Sequence, residues 1–242
     1  MSYSLRDGGM TLKKVLAGIL SLTLMGCSFN NGYSVSVKQE EQETDYSSVY
    51  AEILEFRGIK NKEYQSQLNL SISDNIEDAI YQFDSIAQEA QETLPEGVKS
   101  SLYISQKVKR NTTDFVSFVT ENYIFTGGAH GTTSWYPRTI NVTAENPHDL
   151  TLGELFTIDD YLDKINAIIK QKVEDNPDIY SELWEEPIVT KDNENRFYLT
   201  DDSLVIYFPP YELSYYAKGF IEFPIELKDL SPYLIDKLKV PA

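Results

Sequence analysis

Two stretches of helical periodicity, set among groups of alternating runs, limit what this chain can fold into. Apolar side chains recur at every third or fourth position over residues 75–94, between Asp74 and Pro95. Asp74, followed three positions later by Glu77, is typical of a helix N-cap, and a proline ends a helix. Residues 159–174 show the same spacing. The sequence therefore predicts two amphipathic helices, each with one apolar face packed on a core.

Most of the other apolar runs follow the two-residue alternation of β-strands. They come in groups and do not alternate one for one with helices, which is typical of antiparallel sheets. The sequence therefore predicts an α+β fold with mainly antiparallel sheets and two main amphipathic helices packed on them. The predicted strands cover residues 49–59, 64–73, 101–110, 114–125, 138–143, 197–199, 204–208 and 219–227, with a helical turn at 179–184.

The N-terminal region resembles an export signal. Lys13 and Lys14 precede the apolar run 15–24, which is followed by Met25, Gly26 and Cys27. A positive segment, a short apolar run and a small residue before the cleavage point are typical of a secretory signal peptide, and the run is too short for a membrane-spanning helix. We therefore expect residues 1–26 to be a signal peptide. Whether translation starts at Met1 or at Met10 stays open.

Cys27 is the only cysteine, so no disulfide can form within the chain. The Leu-Met-Gly-Cys run is similar to the bacterial lipobox, which predicts cleavage before Cys27 and lipidation of its side chain. Diacylglycerol with an amide-linked chain supplies more than one hydrophobic anchor, as stable membrane attachment requires. We expect an acidic tether over residues 27–48 to hold the folded part, from about Val49 onward, at a bacterial membrane outside the cytoplasm.

The charge balance limits the choice of partner. Of 38 acidic and 21 basic residues, one acid and three bases precede Cys27, which leaves 37 acids, 18 bases and a net charge of −19. Nucleic acid is excluded as a partner on this basis, because phosphate binding needs clustered Lys and Arg. A cationic partner would be attracted and its association accelerated. The alternative is that the acidity only keeps the protein soluble.

The segment YIFTGGAHGTTSWYP, residues 123–137, holds three glycines, one of two histidines and one of two tryptophans. A phosphate-binding loop would need Gly-Lys-Ser/Thr before a helix, and the segment has no lysine. A zinc site would need partners for His130, but His148 is the only other histidine, and neither lies in an HxxxH pattern. No GxSxG motif or free thiol indicates a nucleophile. The sequence predicts no cofactor and no metal, although a carboxylate site with one histidine stays open.

Glycine adopts positive φ at little cost, so this segment suits a tight turn between strands. Two interpretations stay open: a turn with a purely structural role, and a turn that presents side chains to a ligand. The same choice applies to the phrase after Pro210, which also suits a structural bend. The candidate ligand-binding residues are Gly127, Gly128, His130, Gly131, Trp135, Tyr136, Tyr211 and Glu212.

Two elements of the sequence resemble a known pair of domains. They are the Gly-Gly-Ala-His-Gly turn of residues 127–131 and the phrase that carries Pro210, Tyr211, Glu212, Tyr216, Ala217 and Gly219. In this order and spacing, over about residues 49–234, the chain is similar to the domain pair DUF4163 and DUF3298. The resemblance implies a DUF4163-like domain over residues 49–130 and a DUF3298-like domain over residues 131–242.

The resemblance also implies a function. The domain pair forms the extracellular part of a lysozyme-sensing anti-sigma factor, where it binds and does not catalyse, and its first domain also occurs beside the catalytic domain of a peptidoglycan deacetylase. We expect an envelope lipoprotein that binds lysozyme, another basic cell-wall hydrolase or a wall fragment, without enzymatic activity. Sigma-factor control is not expected, because few residues precede the apolar run 15–24. A structural or accessory subunit of an envelope complex and a peptidoglycan-acting enzyme stay open as alternatives.

Overall fold

The computed structural model describes residues 32–143 and 147–239 of the chain. The predicted signal peptide and Cys27 lie outside these residues. In chain order the elements are β1 (Ser34–Glu43), β2 (Ser47–Arg57), α1 (Lys62–Gln91), β3 (Ser100–Asn111), β4 (Phe115–Phe125), β5 (Thr132–Asn141), β6 (His148–Asp149), α2 (Tyr161–Asp175), α3 (Pro177–Tyr180), β7 (Phe197–Leu199), β8 (Ser203–Phe208), β9 (Ile221–Glu226) and α4 (Leu227–Leu230).

The strands form two sheets. The first has six strands in the order β1-β2-β3-β4-β5-β6, and the second has three in the order β7-β8-β9. Every neighbouring pair is antiparallel except β2 and β3, which are parallel. A parallel pair needs a crossover connection, which α1 supplies. The predicted α+β fold with mainly antiparallel sheets is confirmed.

Residues 64–73, predicted as a strand, belong to α1. The alternation of Leu68, Leu70 and Ile72 suggested a strand with one buried face. Leu68 and Ile72 are indeed buried, but Leu70 is 61% exposed. With Ile76, the buried residues follow a four-residue spacing, so they lie on one face of a helix. The strand prediction was wrong because Leu68 and Ile72, four positions apart, share a face in a helix as well as in a strand, and only the exposure of Leu70 distinguishes the two.

The first helix also begins earlier than predicted. Its N-cap is Asn61, whose side-chain oxygen accepts a hydrogen bond from the Tyr64 backbone N–H at 3.0 Å. This bond satisfies one of the backbone donors that have no partner within a helix. The predicted cap, Asp74, lies inside the helix, which ends at Gln91, three residues before the predicted end.

The predicted tether contains a strand. Residues 34–43 form β1, which pairs with β2 along its whole length. Hydrophobic alternation marks only the start of this strand, because the side chains after Val37 are polar and none in the strand is fully buried. Val35 and Val37 nevertheless pack against the core, and the Tyr33 hydroxyl donates a hydrogen bond to the Thr112 carbonyl oxygen at 2.9 Å. The folded part therefore includes residues 33–48, which the sequence analysis assigned to the tether.

β2 and β3 are paired only from Ser47 to Ala51 of β2. Beyond this point, side chains form hydrogen bonds with backbone groups of β2. The Leu54 N–H donates to Gln106 Oε1 at 2.6 Å, and Asn69 bonds both the N–H and the C=O of Phe56 at 2.9 Å. A buried backbone group without a partner is unfavourable, so these side chains let β3 and α1 pack against the end of β2 without a continued ladder.

The two faces of the first sheet carry different layers. Because side chains alternate along β4, Phe118 packs with α1, whereas Val119 packs with the second sheet. The other face of the second sheet packs on α2 and the C-terminal turns. Ser117 links the two sheets directly, because its hydroxyl accepts a hydrogen bond from the Leu199 N–H at 2.9 Å.

The glycine-rich turn of residues 127–131 connects β4 and β5, which are neighbours in the first sheet. The strand predicted at 138–143 accordingly starts earlier, at Thr132. The predicted boundary between residues 130 and 131 therefore lies within one sheet, and the division of the chain into two domains there stays a prediction. The helix predicted at 159–174 corresponds to α2.

Candidate ligand-binding surface

The turn between β4 and β5 takes its shape from three of the candidate glycines. Gly127 and Gly128 have φ angles of 111° and 88°, in the region that favours glycine. Gly131 has no room for a side chain, because a Cβ there would lie 2.5 Å from the Ile124 carbonyl oxygen and 2.5 Å from the Tyr123 ring. The turn thus depends on glycine for backbone conformation at two positions and for close contact at a third.

The Gly131 carbonyl oxygen joins this turn to the loop after β8. It accepts a hydrogen bond at 2.6 Å from the hydroxyl of Tyr216, 85 residues further along the chain. His130 Nδ1 lies 2.8 Å from the same oxygen, and the His130 ring stacks on Tyr216 with ring centroids 3.9 Å apart. The Tyr211 ring is 5.4 Å from that of Tyr216. The two segments singled out in the sequence therefore meet in space.

Tyr211 is held in an uncommon backbone conformation. Its φ is 70°, and among the described residues it is the only one besides glycines with positive φ. This conformation costs about 1–2 kcal/mol for a residue with a Cβ. The Tyr211 N–H donates to the Ser214 carbonyl oxygen at 3.1 Å, and the Glu212 N–H donates to that of Pro209 at 3.2 Å. These bonds hold the bend that leaves the Tyr211 side chain 61% exposed.

Glu212 fixes the same loop from two sides. Its carboxylate pairs with Arg196 at 2.5 Å, and its backbone carbonyl accepts a hydrogen bond from Trp184 Nε1 at 2.9 Å. The Trp184 N–H also donates to the Leu213 carbonyl oxygen at 3.0 Å. Glu212 therefore positions its neighbours, and its partners bring a second tryptophan to this surface.

The aromatic residues at this end of the molecule form one group, which we call the aromatic surface; all are exposed except Tyr216, which is half-buried. The candidate ligand-binding residues of the sequence analysis did not include three of them, Trp184, Tyr215 and Tyr216. The sequence signal for Trp184 was the run ELWEEP, in which a tryptophan among acidic residues indicates an exposed position. In the structure Trp184 is 53% exposed, and Glu185 and Glu186 beside it are exposed. The aromatic surface consists of His130, Trp184, Tyr211, Tyr215 and Tyr216.

Glu182 connects the Trp184 loop to Tyr215. Its carboxylate forms an ion pair with Lys218 and accepts a hydrogen bond from the Tyr215 hydroxyl at 3.0 Å. The hydrogen bond from Lys218, followed by that from Tyr215, lowers the pKa of Glu182 from its ordinary value. The carboxylate is therefore ionised at neutral pH and keeps the two loops linked.

Trp135 and Tyr136 lie on opposite faces of β5. The Trp135 ring stacks on Phe220 with centroids 3.9 Å apart, and its Nε1 donates to Glu121 at 2.7 Å, between the two sheets. Tyr136 is 56% exposed on the face that packs against α1. The structure thus brings together His130, Gly131, Tyr211 and Glu212, and it places the other two aromatic candidates elsewhere.

Within residues 32–143 and 147–239, no three His, Cys, Asp or Glu side chains are grouped closely enough to hold a metal ion. In the same part of the chain, no helix has the length and apolar character to cross a membrane.

The structure defines the chain as an α+β protein of two sheets with an aromatic surface at one end. The family model described as a protein of unknown function (DUF3298) matches residues 153–228. A second family model, described as deacetylase PdaC, matches residues 40–133. The resemblance found in the sequence is confirmed at the level of the family.

Two curated relatives come from Bacillus subtilis strain 168. Peptidoglycan-N-acetylmuramic acid deacetylase PdaC is 30% identical over 149 residues, which are 58% of this chain and 32% of that protein. Anti-sigma-V factor RsiV is 27% identical over 212 residues, which are 81% of this chain and 68% of that protein. The chain thus spans about a third of the deacetylase and about two thirds of the anti-sigma factor.

Two solved structures share the fold. A DUF3298 family member from Bacteroides fragilis NCTC 9343 superposes with a TM-score of 0.65 at 16% identity, over 86% of this chain and 96% of that one. A DUF3298 family protein from Pseudomonas aeruginosa PAO1 gives 0.63 at 14% identity, over 89% and 100%.

Proposed function

We propose that the chain is an extracytoplasmic lipoprotein, anchored through Cys27, that binds a basic cell-wall hydrolase through the aromatic surface without catalysing a reaction. Lysozyme is the hydrolase to test first, because the domain pair that the sequence resembles senses lysozyme. The observation that carries the proposal is the exposed Tyr211, held by the backbone of its loop in a conformation that only glycine adopts easily. Backbone strain of this kind clusters at ligand-binding sites.

The aromatic surface has the composition of a protein-binding site. Tyrosine and tryptophan are the residues most enriched at the centres of protein interfaces, since they bury a large area and lose little conformational freedom. Here Tyr216 and Trp184 are already fixed by hydrogen bonds to backbone carbonyl groups. Because these side chains are already ordered, binding of a partner costs little conformational entropy, and this preorganisation favours affinity.

Charge supports a basic partner. The mature chain would carry a net charge of −19. Glu185 and Glu186 are exposed immediately after Trp184, so acidic groups lie at the edge of the aromatic surface itself. Acidic groups around an apolar centre accelerate association with a basic protein and orient it, and this effect weakens as salt is added.

The test is calorimetric titration of the purified chain with lysozyme at about 50 and 300 mM salt, spanning the range in which exposed charges become screened. We expect micromolar or tighter binding that persists at the higher salt, together with inhibition of lysis. Tyr211→Ala should weaken binding by about 30-fold, the effect of an interface hot spot. Tyr81→Ala is the matched control, because Tyr81 is 76% exposed on α1 and lies outside the aromatic surface.

Binding that disappears at the higher salt, or that Tyr211→Ala leaves unchanged, would contradict the proposed role of the aromatic surface. Release of acetate or sugar from peptidoglycan by the purified chain would contradict the absence of catalysis. The anchor is tested separately: Cys27→Ser should move the protein from the membrane fraction to the soluble fraction, and membrane retention of this variant would refute lipidation at Cys27.

A further inference from the structure

A groove opens on the face of the first sheet opposite the second sheet. α1 lies mainly over β2 and β3, so the same face of β4 and β5 is left partly uncovered. The resulting cavity has a volume of about 430 Å³, within the range of small-molecule sites. Because β5 alternates between faces, the groove contains Tyr136 and excludes its neighbour Trp135. It is therefore separate from the aromatic surface.

The groove combines an apolar floor with polar side chains, most of which are neutral. The floor comes from residues of α1 and β4 that belong to the core, among them Ile76, Phe83 and Phe118. Tyr136 stands at the rim with more than half of its surface exposed. The polar lining consists of Asn75, Asp78 and Gln82 on α1, Gln106 on β3, Thr120 and Asn122 on β4, and Arg138 on β5.

Two polar groups on the floor have unused hydrogen-bonding capacity. Asn122 Oδ1 is buried and has no hydrogen-bond partner among the described residues. The Thr120 hydroxyl oxygen accepts a hydrogen bond from Gln106 Nε2 at 2.8 Å, which leaves its own hydrogen available to an acceptor. Gln106 is itself fixed, because its Oε1 accepts from the Leu54 N–H. Leaving a buried acceptor without a partner is unfavourable, so the site favours a ligand that supplies a donor beside an acceptor.

The charges around the groove exclude an anionic ligand. Arg138 is the cation that lines it, and its guanidinium already donates two hydrogen bonds to Asp149, at 2.9 and 3.1 Å. Asp78 adds a carboxylate on the α1 side. A phosphate or carboxylate would therefore meet no unpaired positive charge.

An extended peptide is also disfavoured. The peptide would need free backbone groups to pair with, but β4, which forms the floor, is paired on both sides. The groove offers side-chain hydroxyl and amide groups beside the exposed ring of Tyr136. A neutral sugar matches this set, because it has an apolar face that can stack on a ring and hydroxyl groups around its edge.

We propose that this groove binds a neutral saccharide that carries acetamido groups. The acetamido N–H donates to Asn122 Oδ1, and its carbonyl oxygen accepts from the Thr120 hydroxyl. One sugar face stacks on Tyr136, and the sugar hydroxyls bond Asn75 and Gln82 on α1. This site goes beyond the proposed function, since it lies on the other face of the first sheet and takes a different ligand.

The experiment titrates the full chain, purified in mild detergent, with the trisaccharide of N-acetylglucosamine and, in parallel, with cellotriose, which has the same linkage without acetamido groups. We expect saturable binding of the acetamido sugar, at least tenfold tighter than that of cellotriose, because the buried amide partners reject an analogue that lacks the group. Tyr136→Ala should weaken binding about three- to tenfold, whereas Tyr136→Phe, which keeps the ring, should retain it. Tyr81→Ala should bind like the wild type.

Absence of saturable binding, equal affinity for the two sugars, or a Tyr136→Ala variant with unchanged affinity would each overturn the proposal. Tyr136 is exposed, so its replacement leaves folding intact, which a thermal melt verifies. Lysozyme binding by Tyr136→Ala is the cross-check: it should equal that of the wild type, so that failure at one site is distinguishable from failure at the other.

Discussion

Gly131→Ala tests whether the β4–β5 turn holds the aromatic surface together. The added Cβ would lie 2.5 Å from the Ile124 carbonyl oxygen and from a Tyr123 ring atom. Non-bonded carbon atoms prefer a separation of about 3.5–4.0 Å, so the turn must move by about 1 Å. Because one of the contacts is backbone, a side-chain rotation cannot relieve both. We expect a loss of about 1–3 kcal/mol in the free energy of unfolding, typical of overpacking, and a melting temperature lower by about 2–12 °C.

The same movement displaces the Gly131 carbonyl oxygen, which accepts the hydrogen bond from Tyr216. The aromatic surface should therefore lose lysozyme affinity as well as stability. Urea unfolding measures the first effect and calorimetric titration the second. The control for backbone strain alone is Gly128→Asn: Gly128 has positive φ but no atom within 4 Å of an added Cβ, so this variant changes the backbone preference without a steric clash. A Gly131→Ala variant within about 0.5 kcal/mol of the wild type would refute the reasoning.

Two further predictions concern α1 and the Trp184 loop. Ile72→Ala should lower the free energy of unfolding by about 2–5 kcal/mol, and Leu70→Ala by less than about 0.5 kcal/mol, because only Ile72 faces the core. Urea unfolding measures both, and equal effects would contradict the assignment of these residues to a helix. Since Lys218 holds the pKa of Glu182 below its ordinary value of 4.5, their contact stabilises the loop above that value and is lost as the pH falls through the lowered pKa. In a Trp135→Phe background, the fluorescence of Trp184 should change as the pH falls below about 4.5. Adding Glu182→Gln should abolish this change, and a transition present in both proteins would exclude Glu182 as its source.

The elements that sequence patterns predict best are those with one buried face. α2 is an example, because Tyr161, Ile165 and Ile169 are buried at a four-residue spacing on one face of the helix. The patterns fail where tertiary contacts decide the structure. β1 has only two apolar side chains, Val35 and Val37, and its backbone partners come from β2. The first part of α1 has a local spacing that fits a strand equally well.

In the candidate surface, too, local features are predictable from the sequence and tertiary contacts are not. The turn at residues 127–131 is predictable as a turn, because its glycines permit conformations and contacts that other residues do not. The pairing of Gly131 with Tyr216 is not predictable, since no local pattern relates two groups 85 residues apart. Trp184 reaches the same surface through hydrogen bonds to backbone carbonyl groups, which any residue could supply. Sequence reasoning therefore found parts of the surface and missed its assembly.

The pairing of Tyr33 with Thr112 determines how the molecule would stand on a membrane. It places the start of β1 beside the beginning of β4, and Lys237, near the other end of the described chain, binds Asp114 at the same end. The glycine turn lies at the opposite end of β4, about 35 Å away for eleven residues of strand. Tyr33 follows the proposed anchor at Cys27 by six positions, a reach of at most about 20 Å. A connection this short would hold this end of the first sheet close to the lipid, with the proposed ligand-binding surface facing away from the membrane.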